Sequence, residues 1–233
     1  FDLPKAVELI RRAVEESQRE EVTEERQTAT PEMLGQAPAM QDVFRAIGRL
    51  SRSVVTVLIT GESGSGKELV ARALHKHSPV ADGPFVAINT AAIPKDLLES
   101  ELFGHKKGAF TDAKDDREGR FEAANKGTLF LDEIADMPRE TQNRVLRVLV
   151  EQTFTRIGGT EKVSVDVRII SSSSRDLAKA IAEGQFREEL FHRLSVVPIN
   201  VPSLADRRDD IPELIEFFQE QVSQTTGMPR RKI

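Results

Sequence analysis

Residues 54–60, Val-Val-Thr-Val-Leu-Ile-Thr, form an uncharged and largely β-branched run that stops at Gly61, Gly64 and Gly66, with Lys67 directly after. Leu69, Val70, Ala73 and Leu74 then recur at helical spacing. Strand, glycine loop and helix in that order is the setting in which G-x-x-x-x-G-K forms a phosphate-binding loop. Glycine lets successive backbone N–H groups turn inward, toward the spot that the positive end of the next helix also faces. Lys67 can then reach β- and γ-phosphates as a point charge. The candidate nucleotide contacts are Gly61, Glu62, Ser63, Gly64, Ser65, Gly66, Lys67, Glu68 and Leu69. Glu68 stands where a Ser or Thr hydroxyl normally touches Mg²⁺, so the metal must lean on a second acidic site. An ordinary glycine turn between strand and helix is the competing reading.

That second site follows in Gly127-Thr-Leu-Phe-Leu-Asp132-Glu133, a buried strand ending in adjacent carboxylates. Alternation along a strand points the two in different directions. Asp132 is the candidate Mg²⁺ residue, directly or through water, and Glu133 the candidate for orienting and deprotonating an attacking water. Paired acids at this point could instead cap the next helix. A shorter strand over 85–88 delivers Asn89 to the region where an open α/β sheet gathers its ligands. A strand over 165–170 runs into Ser171-Ser172-Ser173-Ser174, hydroxyls that suit either a phosphate sensor or a plain loop. Arg187 and Arg193 lie on a predicted helix, where arginines are by default surface charges.

Composition sets the class. A chain of 233 residues, 39% apolar, suits one large domain or one domain with a fragment of another. With 30% charged residues and a net charge of −5, it is no generally basic nucleic-acid binder. The chain has no cysteine, which removes disulfides and thiolate metal sites. No apolar run approaches the ~18 residues of a membrane span, and no secretory segment opens the chain, so a cytoplasmic protein is expected.

The flanks read differently from the centre. Residues 1–30 are expected to form a connector, a helix with the stripe Ala6, Val7, Ile10, Ala13 and Val14 that fades into charge. Residues 31–202 make the α/β core, opening on a helix with Met40, Val43, Phe44, Ile47 and Leu50 on one face. Residues 203–233 begin a helical lid. Within the core, 105–117 is a polar loop carrying one exposed aromatic, Phe110, and 154–163 reads as a hairpin around Gly158-Gly159. That aromatic is either a bland surface residue or a tip that grips a partner.

Taken together, G-E-S-G-S-G-K-E, E-S-E-L-F-G-H-K-K-G-A-F-T-D-A, G-T-L-F-L-D-E-I and F-R-E-E-L-F-H-R-L resemble the central AAA+ ATPase domain of bacterial enhancer-binding proteins, the NtrC family that acts on sigma-54 RNA polymerase. The similarity runs from about residue 34 to 226, with the motifs in the family's order. It implies an AAA+ P-loop fold, a parallel sheet flanked by helices, that binds ATP or ADP with Mg²⁺ and hydrolyses ATP between subunits of a dimer or ring. It also explains Glu68, which is usual at that position in the family. By resemblance Asn89 couples the γ-phosphate to Glu133, and Ser173 and Ser174 stand for the sensor Thr-Asn. Arg187 and Arg193 correspond to fingers reaching a neighbour's nucleotide. Gly108, Ala109, Phe110, Thr111, Asp112 and Ala113 correspond to the loop that touches sigma-54. The opening residues resemble the end of a receiver domain, which implies a response regulator in nitrogen-related signalling.

Three departures qualify what carries over. The loop reads G-A-F-T-D-A where the family has G-A-F-T-G-A, and Asp112 brings a Cβ and a charge to a tight turn. Ser173-Ser174 lacks the amide of the sensor Thr-Asn, which points to slower hydrolysis. The chain also ends before the family's second sensor arginine and its DNA-binding helix-turn-helix, so this piece is not expected to read DNA alone. The alternative to a sigma-54 ATPase is therefore a nucleotide-binding, oligomerising module with weak hydrolysis that leaves sigma-54 alone.

Overall fold

The computed structural model describes residues 33–111 and 113–226. The connector expected over 1–30, Asp112, and the basic segment after Thr226 lie outside the described residues. In chain order the elements are α1 (Pro38–Leu50), β1 (Val57–Thr60), α2 (Lys67–Lys76), β2 (Phe85–Asn89), α3 (Lys95–Phe103), α4 (Arg120–Ala123) and β3 (Thr128–Asp132). There follow α5 (Arg139–Glu151), β4 (Thr153–Thr155), β5 (Lys162–Ser164), β6 (Arg168–Ser173), α6 (Leu177–Ala182), α7 (Glu188–Leu194), β7 (Val197–Asn200) and α8 (Ile211–Thr226). Short 3₁₀ turns occupy Ile134–Asp136 and Leu204–Asp210.

Five strands pair in parallel in the order β2-β3-β6-β1-β7. A parallel sheet is covered by helices on both faces, so its strands need apolar side chains on alternate sides. Leu58, Leu129, Leu131 and Ile169 face a core built with α3, α5 and α7. Their chain neighbours Val57, Ile59, Phe130 and Ile170 face the opposite core with α1 and α2. The stripe predicted for the first core helix is present, with Met40, Val43, Phe44 and Ile47 buried.

One strand is displaced from its expected position. The expectation of a strand over 165–170 followed by a serine loop is corrected to Arg168–Ser173, with Ser171, Ser172 and Ser173 inside the strand and buried. Residues 165–167 are a connection, held by Val165 N–H to the Gln152 carbonyl and Asp166 N–H to Asn125 Oδ1. Hydroxyls read as loop because they compete for backbone hydrogen bonds, but here they find acceptors between strands, as when Ser171 Oγ donates to the Val57 carbonyl at 3.4 Å. At the start of β6, buried Arg168 donates to the Leu74 carbonyl at 2.7 Å and places a cation at the negative end of α2. Burial pulls its guanidinium down to about 10, which leaves it charged at neutral pH.

Beside the sheet, β4 and β5 form the predicted antiparallel hairpin, with Phe154 opposite Val163. It is anchored by rings. Phe103 stacks on Phe121 at 5.4 Å between centroids, Phe154 meets Phe103 edge-on at 5.6 Å, and the Arg144 guanidinium lies 4.3 Å over Phe103. Phe103 and Phe121 are fully buried. Phe103→Ala is therefore expected to cost about 3–5 kcal/mol, the usual range for emptying a buried aromatic site, read as a fall in the denaturant midpoint.

Candidate functional site

Between β1 and α2 the backbone takes positive φ at Gly61 (152°), Gly64 (77°) and Gly66 (102°). Gly64 and Gly66 need glycine for conformation, since an added Cβ would have open space at 64 and only an ordinary contact with Leu69 at 66. Gly61 needs it for room, because a Cβ would come within 2.8 Å of the Val201 carbonyl oxygen. Lys67, at the first position of α2, is only 6% exposed. Its ammonium donates to the carbonyls of Gly61 (3.1 Å) and Glu62 (3.0 Å) and lies 3.3 Å from Glu133 Oε1. Glu68 points away and pairs with Arg72 at 2.7 Å, one helical turn on. Leu69 is partly exposed at the mouth of the neighbouring cavity.

The acid pair stands opposite. Register sets Asn89 beside Asp132, and Asn89 Nδ2 donates to Asp132 Oδ2 at 3.1 Å. Asn89 Oδ1 accepts the N–H groups of Ala91 (2.9 Å) and Ala92 (3.2 Å), which fixes the side-chain amide's orientation. Its side-chain amide thus bonds Asp132, not Glu133. Asp132 Oδ1 accepts the hydroxyl of Ser172. Glu133 turns out of the strand in the left-handed region, φ 56°. Buried Thr90 supports that turn by donating to the Glu133 carbonyl at 2.7 Å. Ser174 grips the Glu133 side chain twice, with N–H at 2.9 Å and hydroxyl at 2.8 Å on Oε2. Burial by itself raises the Glu133 carboxyl, but the two Ser174 donors and the Lys67 ammonium outweigh it and hold the group below the usual carboxylate range. Among the described residues no group of three or more His, Asp or Glu could hold a metal ion. A Mg²⁺ at Asp132 would therefore depend on phosphate and water oxygens, the ligand set that cation favours.

A cavity of about 550 Å³ opens behind the glycine loop, lined by Met33, Leu34, Met40, Leu214 and Phe217 as well as the loop itself. Arg207 is buried in its wall, and Asp210 is buried nearby at the end of the same 3₁₀ turn. Arg207 donates to the Ser65 carbonyl at 3.0 Å, and Asp210 Oδ1 accepts the N–H groups of Gln36 (2.6 Å) and Ala37 (2.9 Å). Ser172 belongs to the serine run that suits either a phosphate sensor or a loop, while Arg207, Asp210 and Thr90 are members of the site's surroundings that no sequence motif marks. Apart from the approach of charge to a 3₁₀ turn, nothing local in the sequence marks them.

The family model of the Sigma-54 interaction domain matches residues 33–200. The chain belongs to this family. It is 56% identical over 230 residues to the DNA-binding transcriptional regulator NtrC of Salmonella typhimurium, covering 98% of this chain and 49% of that protein. It is 54% identical over 235 residues to the nitrogen assimilation regulatory protein NtrX of Azorhizobium caulinodans, covering 100% of this chain and 51% of that one. The crystal structure of NtrX from Brucella abortus in complex with ATP superposes with a TM-score of 0.82 at 48% identity, over 100% of this chain and 50% of that one. The chain thus spans about half the length of the relatives it matches. Its fold is the AAA+ P-loop fold.

Two further groups of residues that this sigma-54 family resemblance singled out lie away from the loop and acids. Arg187 is not on a helix, as the sequence suggests, but stands immediately before α7 with no side-chain bond to its first turn. Its backbone N–H donates to Gln142 Oε1 at 2.9 Å and its guanidinium pairs with Glu189 at 3.0 Å. Arg193 lies in the last turn of α7 and is exposed. In the loop, Gly108 at φ 80° turns the chain so that its N–H reaches the Ala113 carbonyl at 2.8 Å. Phe110 is 39% exposed and meets the His105 ring edge-on at 4.9 Å. The hairpin lies against this loop, with Lys106 N–H donating to the Ile157 carbonyl at 2.9 Å and Gly158 packed on Ala109.

The clamp on Glu133 has a pH signature. Because its folded-state affinity for a proton is reduced, its contribution to stability is present above the ordinary carboxyl range and fades as pH falls through the lowered value. Ser174→Ala removes a donor to Oε2 and is expected to move the Glu133 titration upward, toward that of an ordinary glutamate, in a carboxyl-resolved NMR titration.

Proposed function

We propose that this chain is the ATP-hydrolysing module of an NtrX-like response regulator that works between subunits of a dimer or ring to act on sigma-54 RNA polymerase in nitrogen-related signalling. The observation that carries the reading is the 3.3 Å approach of Lys67 Nζ to Glu133 Oε1, which joins a glycine cradle for phosphate to a candidate general base. The Brucella relative solved with ATP supports it, as does the cavity behind the loop, large and apolar enough to take a nucleoside.

In this mechanism the amides of residues 61–69 receive the triphosphate of ATP, and Lys67 leaves Glu133 for the phosphate oxygens. Asp132 would hold Mg²⁺, which would supply neutralisation of phosphate charge. Glu133, released from Lys67 and still oriented by Ser174, takes the proton of the attacking water. Asn89, tied to Asp132, links the metal residue to the start of the following segment. Arg187 and Arg193 of a neighbouring copy supply the positive charge that the transferring phosphoryl group requires. Residues 1–30 connect to an upstream receiver domain, 31–202 form the ATPase core and 203–233 begin the lid, with DNA contacts left to a downstream domain. Among the described residues no helix is long and apolar enough to cross a membrane, and the proposed place of action is the cytoplasm.

A steady-state phosphate-release assay checks the mechanism. Specific activity is expected to rise with protein concentration, Glu133→Gln to lower it by about 10²–10⁴-fold with ATP still bound, and Arg193→Ala by about 10³–10⁵-fold. Flat specific activity would remove the role of the neighbouring copy.

A second reading is favoured by the double grip of Ser174 on Glu133 and by the serine pair at 173–174 that lacks an amide to place water. In it the chain binds ATP or ADP and oligomerises, hydrolyses weakly, and does not engage sigma-54 because its loop reads G-A-F-T-D-A. Capture of sigma-54 on immobilised protein loaded with ADP and a metal fluoride separates the two. Retention above an unloaded control supports the first reading, and none supports the second.

A further inference from the structure

The hydroxyl of Ser172 lies between the two acids of the site. It donates to Asp132 Oδ1 and accepts the backbone N–H of Glu133 at 3.2 Å. Ser172 is fully buried in the middle of the sheet, where a hydroxyl without partners is costly. Its neighbour Ser171 meets that need in the bland way, by donating to a strand carbonyl. Ser172 instead directs its one proton onto a carboxylate of the adjacent strand and its lone pair onto the amide of the next residue.

The consequence for Asp132 is specific. Asn89 Nδ2 holds Oδ2 from one flanking strand and Ser172 Oγ holds Oδ1 from the other. Two donors on opposite sides fix the rotation of the carboxylate and leave lone pairs on both oxygens for another ligand. At Glu133 the same hydroxyl braces the backbone in a left-handed conformation that a non-glycine residue enters at a cost. Side chains that orient a ligating carboxylate without touching the metal act through geometry, and their loss weakens binding.

We infer that Ser172 is a positioning residue of the nucleotide site, its hydroxyl aligning Asp132 for Mg²⁺ and fixing the turn that presents Glu133. The inference rests on the reading of Asp132 as the metal residue. The test uses the whole 233-residue chain with Mn²⁺ as the probe, titrated in the presence of ADP and followed by electron paramagnetic resonance. Binding of a fluorescent ADP in EDTA is measured beside it.

Ser172→Ala is expected to weaken Mn²⁺ binding by about 10–100-fold, the range seen when an outer-shell partner is removed. Its ADP affinity in EDTA should equal that of wild type, and Ser172→Thr, which keeps the hydroxyl, should bind Mn²⁺ close to wild type. Unchanged Mn²⁺ affinity in the alanine variant overturns the inference. So does an equal loss of metal-free ADP affinity, which marks a general distortion of the loop and sheet. Asp132→Asn, measured alongside, separates this from the underlying reading. Wild-type Mn²⁺ affinity in that variant removes the metal role of Asp132, and the inference with it.

Discussion

A lysine ammonium cannot be buried without acceptors, and Lys67 is almost completely buried. It takes two acceptors from the loop that precedes it and a third from Glu133, more than sixty residues further along the chain. The loop carbonyls of Gly61 and Glu62 point inward because glycine at 61, 64 and 66 permits positive φ. Glu133 reaches the ammonium because β3 ends level with β1 through the shared neighbour β6 and then turns left-handed. The conformation of the loop, the register of the sheet and the turn after β3 therefore meet at one charge, which is satisfied only when all three are in place. Polar networks of this kind are stable when every member is satisfied and responsive when one partner is replaced. Phosphate oxygens are better partners for an ammonium than backbone carbonyls, so the network is built to be exchanged.

Strand order explains why the exchange would be felt at the acids. β1, which carries the loop, has β6 on one side and β7 on the other, while β2 lies at the far edge beyond β3. The chain thus leaves β1 in one direction and later returns on both of its sides, the topology that opens a crevice at the carboxyl ends of the strands. β6 is the strand between loop and acids, and its end reaches both of them, although the Ser173 hydroxyl turns to the Arg175 carbonyl at 2.8 Å. Ser172 meets Asp132, while Ser174, just past the strand, meets Glu133. Asn89 closes the arrangement from β2.

What could be read from sequence was what sequence makes local. The glycine loop, the apolar strand before it and the acids at the end of β3 each carry their signal within a few residues, although the strand takes only the last four residues of the apolar run. The hairpin was legible because paired glycines sit between alternating segments, and α1 because its apolar stripe holds one face over thirteen residues. Serines at 171–173 misled because a hydroxyl run resembles a loop until Asp132 and Val57 are brought alongside to accept its protons. The helix start at Glu188 was read a residue early because Arg187 continues the charged pattern, while its amide is in fact engaged by Gln142 from α5. Arg207 and Asp210 were opaque for the same reason. Their partners Ser65, Gln36 and Ala37 lie some 140 to 170 residues away in the chain.

The distribution of cations bears on how much chemistry a single copy can perform. Lys67 is shared between the loop and Glu133, and Arg207 is occupied by the Ser65 carbonyl and the Met40 sulfur. Arg187 is paired with Glu189 on its own chain, and exposed Arg193 bonds nothing among the described residues. Transfer of Lys67 to a phosphate frees Glu133 from its nearest cation and at the same time leaves the transferring group with that one positive side chain. A loose transition state spreads charge over three oxygens, which one ammonium cannot match. In the proposed mechanism a Mg²⁺ held at Asp132 would meet part of that charge, and a second cationic side chain the rest. Under that proposal exposed Arg193, held on a short helix, would be the source of this charge for a neighbouring copy.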